Sequence, residues 1–267
     1  MGKIVWLASY PKSGNTWVRA FLHHYITHAD APLSINALAD FSAVECAAAF
    51  FHAPGERIST QEAQKRRPEV HARLTRLHED LVFVKTHNAN LAVHGVPLCT
   101  PSQSAGAVYV LRDPRDVAVS YSAFTGRGVD EMIDFMANPR AANAADGAQV
   151  FELLSSWSGH VESWAGDKKT CVVRYEDLLA APETYFGRIV RFLGGAAAPE
   201  RLRRAIAFSD FKELAAQEKR DGYKAGGSNA AFFRAGVAGA WRTTLSAAQA
   251  KRIERAHGEA MRKAGYL

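Results

Sequence analysis

The residues of this chain best suited to chemistry begin at Tyr10-Pro-Lys-Ser-Gly-Asn-Thr-Trp17. Lys12, Ser13, Gly14, Asn15 and Thr16 crowd into one polar turn between an apolar run and a helical pattern. A strand, a Gly-containing loop and a helix aim backbone N–H groups and a positive helix end at an anion. Lys12 adds a full charge, and Ser13, Asn15 and Thr16 add side-chain donors. The pattern reads as a phosphate cradle. It is not a Walker A loop, where the Lys directly follows a Gly and a Ser or Thr directly follows the Lys. Here Lys12 precedes Gly14, and Trp17 sets a large ring beside the anion site. The structural alternative is an ordinary strand–turn–helix connection with a solvated Lys12 and a core Trp17.

Two other strand ends carry candidates. Leu81-Val-Phe-Val-Lys85 is an apolar run that leads into Thr86-His87. Ligands of open parallel sheets bind beyond the carboxyl ends of strands, which puts Lys85 and His87 on the same rim as Lys12. Most of the ten histidines are bystanders: His23, His24 and His28 read as helix-face residues, and His71 and His78 as exposed. Ala107-Val-Tyr-Val-Leu111 runs into Arg112-Asp-Pro-Arg-Asp116. Asp113 suits an N-cap and Pro114 a first helical residue. This is a capped helix with surface arginines, or a second anion site using Arg112 and Ser120.

These groups need a scaffold. Lys3–Ala8, Leu81–Lys85, Ala107–Leu111 and Thr170–Arg174 read as buried strands, and helical periodicity falls between them. Helices are expected from Trp17, over Ile35–Phe51, Gln61–His78, Val117–Phe124, Val150–Trp164, Pro182–Leu193, Pro199–Phe208 and Phe211–Lys219, and after Ser246. Ser246 and Gln249 form a capping box. Ala43–Phe51 reads as core helix, with an acceptor-pocket wall as the alternative. Residues 126–148 read as a flexible cap and 220–231 as a loop. Strands alternating with helices predict an α/β fold, a doubly wound parallel sheet flanked by helices, with residues 1–267 as one domain.

Composition narrows the partners. The 267 residues are 48% hydrophobic and 22% charged, with a net charge of +6 and a pI near 9.3. That favours anionic ligands in general. No zinc-finger spacing, RNA-recognition signature or basic stripe points to nucleic acid. No signal peptide or integral membrane segment is read. Cys46, Cys99 and Cys171 are odd in number and far apart, which suggests reduced thiols in a cytoplasm and neither a disulfide framework nor a metal site.

Taken together, the motifs resemble the cytosolic and bacterial sulfotransferases that use 3′-phosphoadenosine 5′-phosphosulfate (PAPS). Tyr10–Trp17 is similar to their 5′-phosphosulfate loop, Val84-Lys-Thr-His87 to the strand end with their catalytic histidine, and Tyr109–Tyr121 to their 3′-phosphate motif. Arg174-Tyr-Glu-Asp-Leu178 and Phe233–Arg242 match further segments in the same order, so the resemblance spans nearly the whole chain. The N-terminal third also resembles bacterial glycopeptide sulfotransferases. The resemblance implies a P-loop-like fold with PAPS as donor and 3′-phosphoadenosine 5′-phosphate (PAP) as product. It implies Lys12 on the phosphosulfate and Ser13, Gly14, Asn15 and Thr16 on the 5′-phosphate. Trp17 and Phe211 would enclose adenine, with Tyr175 and Ser209 touching the base. Arg112, Ser120, Arg234 and Gly236 would take the 3′-phosphate, and His87 would be the general base. Ala235 stands where the family has a Lys. The family's dimer segment reads here as Arg242, Ser246-Ala247 and Lys251, so the resemblance does not carry the dimer over.

Sulfuryl transfer suits these residues. It is an in-line displacement in which positioning and charge stabilisation dominate. The sulfuryl group carries less charge than a phosphoryl group, so a Lys and backbone donors suffice and no metal is implied. An acceptor hydroxyl, or an amine, needs a base in contact with its proton. A neutral His87 at a strand end would meet that need, and Lys85 would assist by holding the transferring oxygens. A neutral imidazole predicts activity rising through the histidine range, near ~6.5. Two alternatives are a P-loop-type kinase of a small metabolite and a non-catalytic nucleotide- or polyanion-binding module. The acceptor is not legible, because loops such as 30–79, 123–148 and 220–232 build its pocket.

Overall fold

In a computed structural model, described over residues 2–224 and 231–267, five parallel strands form the central sheet. They are β1 (Lys3–Ser9), β2 (Ala43–Val44), β3 (Leu81–Thr86), β4 (Ser104–Leu111) and β5 (Thr170–Arg174), in the spatial order β2-β3-β1-β4-β5. The β1 strand is central and buried on both faces from Ile4 to Ser9, as a covered parallel sheet requires. Its alternate residues feed two cores. Ile4, Trp6 and Ala8 pack with Val84, Tyr109, Trp157 and Trp164, while Val5 and Leu7 pack with Phe21, Val110, Phe186 and Ile189. This is the expected α/β fold.

Chain order places the site. From β1 the chain crosses to β2 and β3 on one side, then to β4 and β5 on the other. Register aligns Ala8 with Thr86 and Ser9 with Val110. The turn after β1, His87 after β3 and Arg112 after β4 therefore emerge side by side at a topological switch point, where such sheets bind ligands. Helix α1 (Asn15–Ile26) follows the first turn and α2 (Pro114–Thr125) follows Arg112. Asp113 caps α2 through the Arg115 N–H, and the Ser246–Gln249 capping box opens the C-terminal helix Ala247–Lys263.

Four expectations are corrected. The Ile35–Phe51 helix does not form: Ala43–Val44 instead pairs with β3 as an edge strand, between short turns at Ile35–Phe41 and Ala48–Phe50. Edge pairing and burial of Glu45 outweigh the helical spacing. The helix expected from Val150 starts only at Trp157, because the Ser156 side chain caps Gly159 N–H; Glu152–Leu153 is a short strand paired with Ala142–Asn143. The expected flexible cap contains the helix Val129–Ala137, which buries Met132, Ile133 and Met136 and is tied to Arg252 through Asp130 and Asp134. His71, expected exposed, is fully buried, bonded to Thr100 and Glu45 beside the Arg67–Glu45 ion pair; His23 and His24 lie on α1 as expected, whereas His28 lies beyond its end at φ 54°. Part of the expected 220–231 loop, residues 225–230, lies outside the described residues. Among the described residues no helix is long and apolar enough to cross a membrane.

Candidate active site

A cavity of about 560 Å³ opens over the strand ends. Of the residues singled out from the sequence, it is lined by Lys12, Gly14, Asn15, Thr16, Trp17, Lys85, His87, Arg112, Ser120, Tyr175, Phe211, Arg234, Ala235 and Gly236. Ser13 and Ser209 are not in the lining. Ser13 is buried beneath the turn, and the Ser209 hydroxyl donates to Ala205 O at 2.8 Å, closing its own helix end.

The first turn is built to hold something. Lys12 is left-handed at φ 64°, and Gly14, the α1 N-cap residue, sits at φ 102°. A Cβ at Gly14 would stand 2.7 Å from Tyr175 Cδ2, so the position excludes a side chain on two grounds. No side chain caps α1, which leaves its first-turn N–H groups facing the turn. Ser13 Oγ, Asn15 Oδ1 and Trp17 Nε1 are buried and find no partner among the described residues. Asn15 Nδ2 anchors the turn to Leu7 O at 2.8 Å. Arg112 clamps it from β4, donating through Nη1 to Lys12 O and through Nη2 to Val237 O, each at 2.9 Å. The Arg112 guanidinium also lies 4.4 Å from the Tyr175 ring.

The Lys12 ammonium sits between two rings, 3.7 Å from Phe232 and 4.3 Å from Phe124. Burial, and then the cations Arg112 and Arg234, bring its pKa down from 10.5 to about 8, against the opposing pull of Glu218. At the far end Gly236, φ 65°, lies so close to Phe211 that a Cβ would overlap its ring at 2.4 Å. Asp116 holds this 239–241 segment by accepting from Gly239 N at 2.6 Å and Trp241 N at 2.9 Å.

His87 lines the same cavity. Its Nδ1 lies 2.8 Å from Ser9 O. A carbonyl only accepts, so Nδ1 carries the proton and Nε2 keeps its lone pair. Nε2 makes no hydrogen bond among the described residues. His160 Nε2 donates to His87 O at 3.1 Å and in turn accepts at Nδ1 from Tyr109 OH at 2.9 Å. Burial, then Lys85, push the imidazole down to about 3. The free imidazole is therefore held neutral through the ordinary histidine range.

Sequence reasoning missed Glu152. It is 1% exposed and lines the cavity. It accepts from His87 N at 3.0 Å and from Asn143 Nδ2 at 3.2 Å, and lies 3.7 Å from Lys85 Nζ. Burial pushes its carboxyl up, but Lys85 and the hydrogen bonds outweigh it and bring the group down to about 2. Read as one helical position among Val150, Leu153 and Leu154, it carried no local signal. Phe124 and Phe232, the two rings at Lys12, were equally silent.

The geometry thus joins the Lys12–Trp17 turn and the His87 imidazole in one cavity. Residues 3–265 match the Sulfotransferase domain family, and the chain belongs to it. Among relatives, it is 26% identical over 263 residues to sulfotransferase 1B1 of Canis lupus familiaris, covering 93% of this chain and 80% of the dog protein. It is 26% identical over 268 residues to cytosolic sulfotransferase 13 of Arabidopsis thaliana, covering 93% and 74%. The fold is similar to that of retinol dehydratase in complex with androsterone and the inactive cofactor PAP, with a TM-score of 0.64 at 19% identity, over 97% of this chain and 80% of that one. The chain is an enzyme of the sulfotransferase class.

Proposed function

We propose that this chain, acting as one domain, transfers the sulfuryl group of PAPS to an acceptor hydroxyl with His87 as general base. The observation that carries the reading is the Ser9 carbonyl on His87 Nδ1, which leaves a lone pair at Nε2 in the cavity that holds the Lys12 cradle. The residues present fit an anionic nucleotide: Ser13 Oγ and Trp17 Nε1 are buried without partners among the described residues, and Gly14 keeps the turn open. Lys12, Ser13, Gly14, Asn15 and Thr16 would hold the phosphosulfate end. Trp17, Phe211 and Tyr175 would enclose the adenine. Arg112, Ser120, Arg234 and the Ala235–Gly236 backbone would take the 3′-phosphate. Bound there, PAPS would supply an electrophilic sulfur and a phosphate leaving group.

The chain's own part is positioning and proton transfer. His87 Nε2 takes the acceptor's proton as the acceptor oxygen gains its new bond. The Lys12 ammonium offsets charge at the phosphate end, and Lys85 stands beside the base to steady the transferring oxygens. The Arabidopsis relative is named cytosolic, and we place this chain in the cytoplasm with it. The test is transfer of labelled sulfuryl from PAPS to a panel of a phenol, a primary alcohol, a sterol, a sugar and an amine, with excess EDTA present. Turnover of at least one acceptor is expected. ATP–Mg²⁺ turnover instead, or PAP binding without any transfer, would overturn the reading.

A further inference from the structure

A buried carboxylate beside a catalytic base needs a reason. Glu152 comes from the Glu152–Leu153 strand, well away in sequence from β3. It reaches the one segment that holds both Lys85 and His87 and contacts each of them, the first through charge and the second through its backbone N–H. Its remaining oxygen is held by Asn143, which accepts from Tyr121 OH at 2.7 Å, so the carboxylate cannot swing away. Desolvating an acid to this degree is costly unless its charge is used or paired.

We propose that Glu152 is a positioning residue for the transfer reaction, fixing the His87 backbone and balancing the charge that His87 acquires. The inference rests on the sulfuryl-transfer reading above. Before the step, Lys85 and Glu152 cancel and His87 is neutral. When the acceptor O–H proton moves to Nε2, an imidazolium forms beside the Lys85 ammonium. With Glu152 present the cluster rises from no net charge to one positive charge. Without it the cluster would rise from one to two, in a site where water offers little screening. The imidazole is already made weakly basic by burial and by Lys85, so its counter-charge matters more. The other groups facing Glu152 are Cys46, Tyr121 and His160. Burial pushes the Cys46 thiol and the Tyr121 phenol up and holds His160 neutral, which leaves Lys85 and His87 as its charge partners.

The test uses Glu152→Gln, which keeps an oxygen for His87 N–H but removes the charge. In the parent enzyme, with PAPS and the fastest acceptor of the panel, turnover is established first; its absence would count against the transferase reading and not against Glu152. The variant should lose ~10–100-fold in kcat, the size of one unbalanced charge in a partly screened site. PAP affinity by calorimetry and acceptor KM should stay within a few-fold. A double variant with Lys85→Met should lose little beyond the worse single variant, because the two act as one unit. Glu152→Ala should also speed amide exchange at His87, a readout independent of activity. A folded Glu152→Gln enzyme with parental kcat, or losses that simply multiply in the double variant, overturns the proposal. If the Gln variant does not fold, Glu152→Asn, which also removes the charge, carries the same measurement, and parental kcat there would be as damaging.

Discussion

Raising the pH should uncouple Lys12 from its nucleotide. In the free protein its ammonium is held at about 8 by burial and by Arg112 and Arg234. The displacement from 10.5 is worth ~3 kcal/mol, at ~1.4 kcal/mol per pH unit. The rings of Phe124 and Phe232 return ~0.5–2 kcal/mol each to the charged form. Above pH 8 most free molecules carry a neutral Lys12, while a bound 5′-phosphate demands the charged one. PAP binding must then take up a proton, and Kd should rise about tenfold per pH unit until the pKa of the complex is reached. The nucleotide's own phosphates have finished titrating by then, since their second pKa lies near ~6. Titration calorimetry at pH 9 in two buffers of different ionisation enthalpy should count close to ~1 proton per PAP bound. Lys12→Arg keeps its charge at every pH and should bind with a flat profile. The unfolded chain holds more protons between pH 8 and 10.5, so the free protein should gain stability across that window. Equal PAP affinity at pH 7 and 9.5, with no proton uptake, would refute the reasoning.

Three further outcomes are expected. His87→Ala should cut turnover by ~10²–10⁴ with PAP affinity retained, as removal of a general base does; a folded variant with parental turnover removes His87 from the mechanism. Gly14→Ala should weaken PAP binding at least tenfold, because a Cβ there meets Tyr175 and the backbone is left-handed. Parental affinity would show that the turn adapts. Below pH 6.5 stability should fall, since His87 is held at about 3 and His23, His160 and His257 at about 4, so unfolding takes up protons there. Each contributes up to ~1.4 kcal/mol per pH unit. A melting temperature that stays flat from pH 6.5 to 4.5 would contradict the buried neutral histidines.

Legibility in the sequence followed locality. The phosphate turn was readable because its residues are consecutive and Gly14 has a backbone reason to be glycine. The strands were readable because each is an uninterrupted apolar run; β5 begins and ends where expected, at Thr170 and Arg174. The short elements were not. Ala43–Val44 is an edge strand only because β3 lies beside it, and no local pattern in those residues states that. Ser209 sits in a motif position, yet its hydroxyl is taken by Ala205 O, a competition decided by the helix end. Glu152 was hidden for the same reason as the Arg67–Glu45 pair. A buried charge is defined by its partner, and that partner lies 67 residues away for Glu152–Lys85 and 22 for Arg67–Glu45.

The distribution of charge along the cavity explains how one site can serve two demands. A dianionic phosphate end is held best by unpaired cations, and Lys12, Arg112 and Arg234 gather there with no carboxylate bonded to them among the described residues. The same cations would spoil a base, because each positive neighbour makes an imidazole harder to protonate. On the proposed reading, the imidazole is offset by a carboxylate of its own, Glu152, which accepts from the His87 N–H. Lys85 is the cation nearest the base in sequence, and it is the one that Glu152 neutralises. The Ser9 carbonyl then fixes the tautomer from below, at the end of the strand that also launches the cradle. On the proposed reading, base and cradle would be held by one stretch of backbone, Ser9 to Thr16, so a shift of that turn would disturb proton transfer and nucleotide binding together. Removal of Glu152 would disturb the first and spare the second, which is the separation that the paired kcat and PAP measurements resolve.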